Sequence, residues 1–156
     1  MENVLNVAAY IANRYFSEYG QHIDEMKLHK LMYFAQRESF IQTDAPLFQA
    51  IFYGWKYGPV LKEIRSAYKD GSFSSISPCA LDETALLIIN KIFSNYAGKD
   101  SWSLSRLTHG ELSWKSSRIG VLEQTNSDNP MDLEDIKKDA ERIKSRRKML
   151  TGLGLA

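Results

Sequence analysis

The sequence predicts a mainly α fold: a single compact helical domain of about six to seven helices with at most a small two-stranded β element. Three observations carry this. Apolar residues recur at helical spacing through most segments. Asp24, Asp82 and Asp132 stand where N-caps belong, and glycines stand where helices would stop. One short run alone, IFYGWKY, has the aromatic and β-branched content of a strand. The 156 residues suit one domain of ordinary size.

The first helix is expected over about residues 3–19, where Val4, Ala8, Ile11 and Tyr15 repeat on one face and Gly20 closes it. Asp24 caps the second, with Ile23 and Leu28 placed as a hydrophobic staple. Its stripe is Leu28, Leu31, Met32 and Ala35. Tyr33, Phe34 and Phe40 lie off that stripe, so the helix is apolar over much of its circumference and is expected at the centre of the domain. TDAPLF is a turn. Residues 51–57 are extended, and Gly54 marks a bulge. Gly58-Pro59 is expected to end the strand and open the next helix, proline suiting the first helical position. That helix buries Val60, Leu61, Ile64, Ala67 and Tyr68 and stops at Gly71. SFSSIS (72–77) is expected to pair with residues 51–56. Asp82 opens a strongly apolar helix that Gly98 ends. Residues 101–122 form two short helices broken near Gly110. Asp132 caps a last helix, to about Lys148. The expected organisation is a domain over 1–124, a loop over 125–131, a basic helix over 132–150 packed on or extending from the domain, and a flexible tail over 151–156.

Net charge is +1, unevenly placed. Residues 137–148 hold seven basic and two acidic residues, +5, leaving −4 for the rest of the chain. This predicts a local cationic patch and argues against whole-protein attraction to nucleic acid. Cys79 is the one cysteine, which excludes an intramolecular disulfide and a Cys-rich zinc site. No apolar run approaches a membrane span, and the N-terminus lacks the basic region of a signal peptide. A cytoplasmic location is expected.

The stretch LTHGELSW gathers a hydroxyl, an imidazole, a carboxylate and an indole. His109 and Glu111 form H-x-E, but the paired cysteines of a zinc deaminase are missing, as is the H-E-x-x-H of a zinc protease. No serine sits in a nucleophile-elbow context, and no glycine-rich loop cradles phosphate. No catalytic residue, metal ligand or cofactor is therefore assigned. Thr108-x-x-Glu111 has capping-box spacing, which predicts Thr108 as a helix cap, Glu111 reaching back to it, and Trp114 filling the core. In KLHKLMYFAQ, Lys27, Lys30 and Phe34 share one helical face, with His29, Tyr33 and Gln36 on an adjoining one. Cations beside aromatics can grip nucleic acid. On a lone helix the commoner outcome is a solvated edge.

Three stretches, KLHKLMYFAQ, WKYGPV and LTHGELSW, occur in one order. Together they resemble the Panacea domain, the SocA-like or phage-associated protein family, with its K-L-x-K-L-x-Y-x-A-Q, W-x-Y-G-P-V and L-T-H-x-E-x-P-W patterns. Lys27, Lys30, Tyr33 and Gln36 match the first, Trp55, Tyr57 and Pro59 the second, and Thr108, His109, Glu111 and Trp114 the third. Ser113 departs, standing where proline is usual. The resemblance implies a non-enzymatic antitoxin that binds a cognate toxin. In the best known type it also delivers the toxin to a cytoplasmic protease. On this reading Trp55, Tyr57, His109 and Trp114 form a partly buried cluster that either shapes a pocket or fixes the fold. The last helix lies outside the motifs, and Lys137, Lys138, Arg142, Arg146 and Arg147 are expected to meet an acidic toxin surface. The alternative is a nucleic-acid-binding, autoregulatory module. The sequence does not indicate an oligomeric state.

Overall fold

The computed structural model describes residues 1–155. Seven α-helices and one two-stranded sheet form a mainly α fold, as expected. Helix α1 (Val4–Tyr19) starts at Asn3, whose side chain accepts from Asn6 N, and ends at Gly20 in the left-handed region, φ 72°. Helix α2 (Glu25–Thr43) starts at Asp24, whose carboxylate accepts from Lys27 N at 2.8 Å. Every residue of α2 from Lys27 to Phe40 is buried. Helices α1, α4 (Glu83–Ile92), α5 (Ser101–His109) and α7 (Leu133–Gly152) all pack on it. Fully burying a side chain such as Leu28, Leu31 or Met32 contributes about 1.5–3 kcal/mol each.

A helix buried on all sides must also bury its polar residues, and each of these finds a partner. Lys27 Nζ donates to Tyr15 Oη at 3.0 Å and lies over the Tyr15 ring. Gln36 reads the backbone of the following turn. Its Nε2 donates to Phe48 O at 2.9 Å and its Oε1 accepts from Leu47 N at 2.8 Å. Ser39 Oγ donates to Ala45 O at 2.7 Å. The first motif is thus a set of bolts joining the central helix to its neighbours. The solvated cationic edge expected for Lys27 and Lys30 is absent, because residues on all sides of α2 are covered.

The strand region differs from expectation. Gly58-Pro59 does not open a helix. Strand β1 (Phe52–Trp55) turns back through Lys56-Tyr57 into β2 (Gly58–Leu61), pairing Phe52 with Leu61 and Gly54 with Pro59. Proline is tolerated here because a two-stranded sheet has only edges. Helix α3 (Lys62–Lys69) begins three residues later than expected, so Val60 and Leu61 bury themselves from a strand. Residues 72–77 do not pair with β1. Phe73–Ser75 form a single 3-10 turn, and Phe73 stacks on Tyr68 of α3. The β1 edge is taken instead by the segment before α7. Gly54 N donates to Asn129 O and Met131 N to Phe52 O, at 3.1 and 2.7 Å. Gly54 sits in regular register, with no bulge. A Cβ there would fall 2.0 Å from Ser117 Oγ, so the glycine admits helix α6 (Leu112–Ser117) against the strand.

Helix α4 runs into one π turn (Phe93–Ala97) before Gly98. The two short helices around Gly110 are α5 and α6. The capping box between them does not form. Thr108 belongs to the last turn of α5 and donates to Ser105 O at 2.7 Å. Glu111 occupies the N-cap position of α6 with no side-chain capping bond. The cap comes from α7, where Asp139 accepts from Leu112 N at 2.8 Å and Ser113 N at 2.9 Å. Helix α7 extends to Gly152, so the first two residues of the expected tail are helical.

Candidate partner-binding site at the hairpin tip

The three motifs meet at the β1–β2 tip. The tip is held from below through its backbone carbonyls. Lys30 Nζ donates to Pro59 O at 3.2 Å, Ser105 Oγ to Tyr57 O at 2.6 Å and Trp114 Nε1 to Trp55 O at 2.9 Å. Arg118 donates to Gly54 O at 3.0 Å. It also donates to Thr125 O, Leu122 O and Glu123 O, pinning the loop after α6 to the tip. Gly58 has φ +119°, and a Cβ there would meet Thr108 Oγ1 at 2.5 Å and Lys30 Cε at 2.7 Å. The second motif needs its glycine because side chains of the first and third pass directly beneath it.

Above these bolts lies a partly open aromatic surface. His109 stacks on Trp114 with ring centroids 4.0 Å apart. Tyr57 meets Trp102 edge-on at 5.2 Å, and both are exposed, at 43% and 54%. Two hollows of about 320 and 330 Å3 flank the tip and share Lys56 and Tyr57 in their walls. The first is lined by His109, Trp114 and Arg118, the second by His29, Lys30 and Trp55. Trp55 Nε1 and His109 Nε2 are buried without hydrogen-bond partners. Burial, then the charge of Lys30, lowers the His109 pKa, and the Lys56 backbone opposes that shift. His109 is therefore neutral at pH 7. Lys30, Lys56 and Arg118 form no ion pair with any described residue, while Glu123 and Glu25 stand in the walls of the two hollows.

Glu111 does not face this surface. It is buried and binds two guanidiniums, Arg37 of α2 and Arg142 of α7, the latter at 3.1 Å. Burial pushes its carboxyl upward against the pull of Arg37, and the nearby Asp139 adds to the rise. Arg37 also donates to Tyr96 Oη at 2.6 Å and lies over Phe34. Tyr33 Oη donates to Asp139 at 3.2 Å and lies 3.0 Å from Ser113 Oγ. This hydroxyl–carboxylate cluster is sealed from solvent, so its geometry is that of a cross-brace. No group of three or more His, Cys, Asp or Glu able to hold a metal occurs among the described residues.

The structure thus brings Trp55, Tyr57, Pro59, Thr108, His109 and Trp114 together with Lys30. It places Lys27, Tyr33, Gln36 and Glu111 in the interior. Of the α7 cations, Arg142 pairs with Glu111 and Arg147 with Glu38 at 2.8 Å. Lys137 and Lys138 pair with Glu134 and Asp135 one turn back. Arg146 is exposed and makes no ion pair among the described residues. Sequence reasoning missed Arg37, Arg118, Trp102 and Asp139. Asp139 had a usable signal: it is an acid within a basic run, and it shares the inward face of Ile136, Ala140 and Ile143.

The polar motif residues lock a hairpin onto a helical scaffold, and the open surface above it is aromatic and cationic. The chain belongs to the antitoxin SocA-like, Panacea domain family, whose model matches residues 28–115. That span contains most of α2, the hairpin and the α5–α6 corner. No curated protein and no solved structure matches the chain. No helix of the described residues is long and apolar enough to cross a membrane.

Proposed function

We propose that this protein is an antitoxin that neutralises a cognate toxin by direct contact, without catalysis, and that the hairpin tip is the primary contact surface. The observation that carries this reading is the tip itself. Exposed Tyr57 and Trp102 stand with Lys56 and Arg118 around the tip, and neither cation forms an ion pair among the described residues. Aromatic side chains flanked by cations are the usual anchors of protein interfaces. They suit a toxin surface with acidic and apolar groups. His109 and Trp114 support the tip from one side and line its hollow. The exposed side of α7, with Lys138, Arg146 and the neighbouring Lys144 and Lys148, is a second contact surface on this reading. Arg142 and Arg147 are committed internally and serve the scaffold.

The test is rescue from toxicity on co-expression with the protein encoded by the neighbouring gene. Replacing Tyr57 and Trp102 together by alanine should abolish rescue while the thermal midpoint stays near that of the wild type. Full rescue by that double variant would remove the tip as contact surface. Reversing Lys138 and Arg146 to glutamate tests α7 separately, and a partial loss is expected.

A further inference from the structure

The hollow beside Lys30 has a chemistry that the fold alone leaves unfinished. Lys30 is 1% exposed, and its ammonium has three N–H donors. Its one hydrogen-bond acceptor among the described residues is Pro59 O, at 3.2 Å. A buried cation held by a single carbonyl is costly, because little replaces its lost hydration. Trp55 lines the same hollow, and its indole N–H is buried without an acceptor. Lys56 stands at the wall shared with the second hollow. Lys30, with one acceptor for three donors, and Trp55, with none, therefore both line one cavity of about 330 Å3.

The other lining groups narrow the ligand. His29 is saturated: its Nδ1 accepts from Leu61 N at 3.2 Å and its Nε2 donates to Glu25 at 3.0 Å. Glu25 is neutralised by Arg65 at 2.8 Å. It still places a carboxylate in the wall, which disfavours a dianion such as phosphate more than a monoanion. The cavity adjoins Tyr57, and so it is reached from the contact surface proposed above. We infer that this hollow is a carboxylate-binding site that receives an aspartate or glutamate side chain of the bound toxin, with Lys30 Nζ and Trp55 Nε1 donating to its two oxygens. This rests on the reading of the hairpin tip as the contact surface, and it names the chemical group the partner must supply there.

The site can be probed without the toxin. Sodium acetate, N-acetyl-Gly-Glu-Gly-amide and N-acetyl-Gly-Gln-Gly-amide are titrated into the full chain at fixed ionic strength. The Trp55 indole N–H and the Lys30 side-chain carbon signals are followed by NMR, with the indole assigned from Trp55→Phe. Acetate and the glutamate peptide should shift both signals saturably, and the glutamine peptide should not. Lys30→Met should abolish the Trp55 response while the spectrum stays dispersed, and Lys30→Gln replaces it if that variant does not fold. No saturable shift with either carboxylate, or an equal shift with the glutamine peptide, would overturn the site. A response to acetate without one to the glutamate peptide would overturn its assignment to a partner side chain. Failure of these titrations leaves the Tyr57 and Trp102 rescue experiment untouched, so the two readings fall separately.

Discussion

Lys30 is the residue where burial and charge conflict most. Burial lowers its pKa from 10.5 to about 7, with Asp24 and Glu25 pulling the other way. The unfolded chain therefore holds more protons than the folded one between about pH 7 and pH 10.5, and stability rises with pH across that window. Below it the folded state carries the full cost of a buried ammonium. Urea unfolding of wild type and Lys30→Met across this range should show a rising difference in favour of wild type as pH increases. Parallel curves would mean that Lys30 is solvated. Gly58→Ala is expected to cost about 2–4 kcal/mol, because it combines a strained φ with side chains that have no room to retreat. Denaturant midpoints measure it. The sequence showed which residues these motifs contain, but not which way they point. Lys27 and Lys30 read as an exposed edge because a single helix does not show that its far side is also covered. Glu111 read as a local cap because its partners, Arg37 and Arg142, lie 74 and 31 positions away.

Among the elements, α7 changes meaning most. As a sequence it is a basic helix outside the family match. In the fold its Asp139 caps α6, its Arg142 answers Glu111 and its Arg147 answers Glu38. Ser113 explains part of this dependence. The family usually has proline there, which has no N–H, whereas Ser113 donates its N–H to Asp139 Oδ2 at 2.9 Å. The departure in the third motif is thus matched by a residue outside it. Asp139→Ala leaves two backbone N–H groups without an acceptor and the Tyr33 phenol with Ser113 Oγ alone, and about 3–5 kcal/mol should be lost. Asp139→Asn retains an oxygen and should lose less, and thermal unfolding distinguishes the two. The helices, with their Asp24, Asp82 and Asp132 caps, were legible because capping and periodicity are local. Strand β2 was not legible, because Gly-Pro after an aromatic run fits a helix start equally well. Its true partner, β1, competes only through pairing that no local rule records.

For the whole molecule, the three motifs fix a scaffold, and on the function proposed above specificity falls to the exposed positions around it. His109→Ala removes one half of an exposed-side stack and should cost about 1–2 kcal/mol. Glu111→Ala leaves Arg37 buried without its carboxylate and should cost about 3–5 kcal/mol. Measuring rescue and thermal midpoint together separates the two roles: His109→Ala should reduce rescue beyond its loss of stability, while Glu111→Ala should lose both in proportion. Equal proportional losses would assign His109 to the scaffold as well. The family and the mainly α architecture were readable because the three motifs are ordered and widely spaced. The proposed contact surface was not, because Trp102 and Arg118 belong to none of the motifs and reach the tip only when the chain folds.

The pairing of residues 129–131 with β1, followed by Asp139, Arg142 and Arg147, has a consequence during synthesis. A ribosome that has made the family core but not yet released α7 holds a nascent chain with Glu111 paired to Arg37 alone, Glu38 lacking Arg147 and α6 lacking its cap. Such a chain should leave part of its interior uncovered and be sensitive to proteolysis. Neutralising capacity should therefore appear only once α7 is translated, and messages cut short after Asn129 should yield degraded product and no protection.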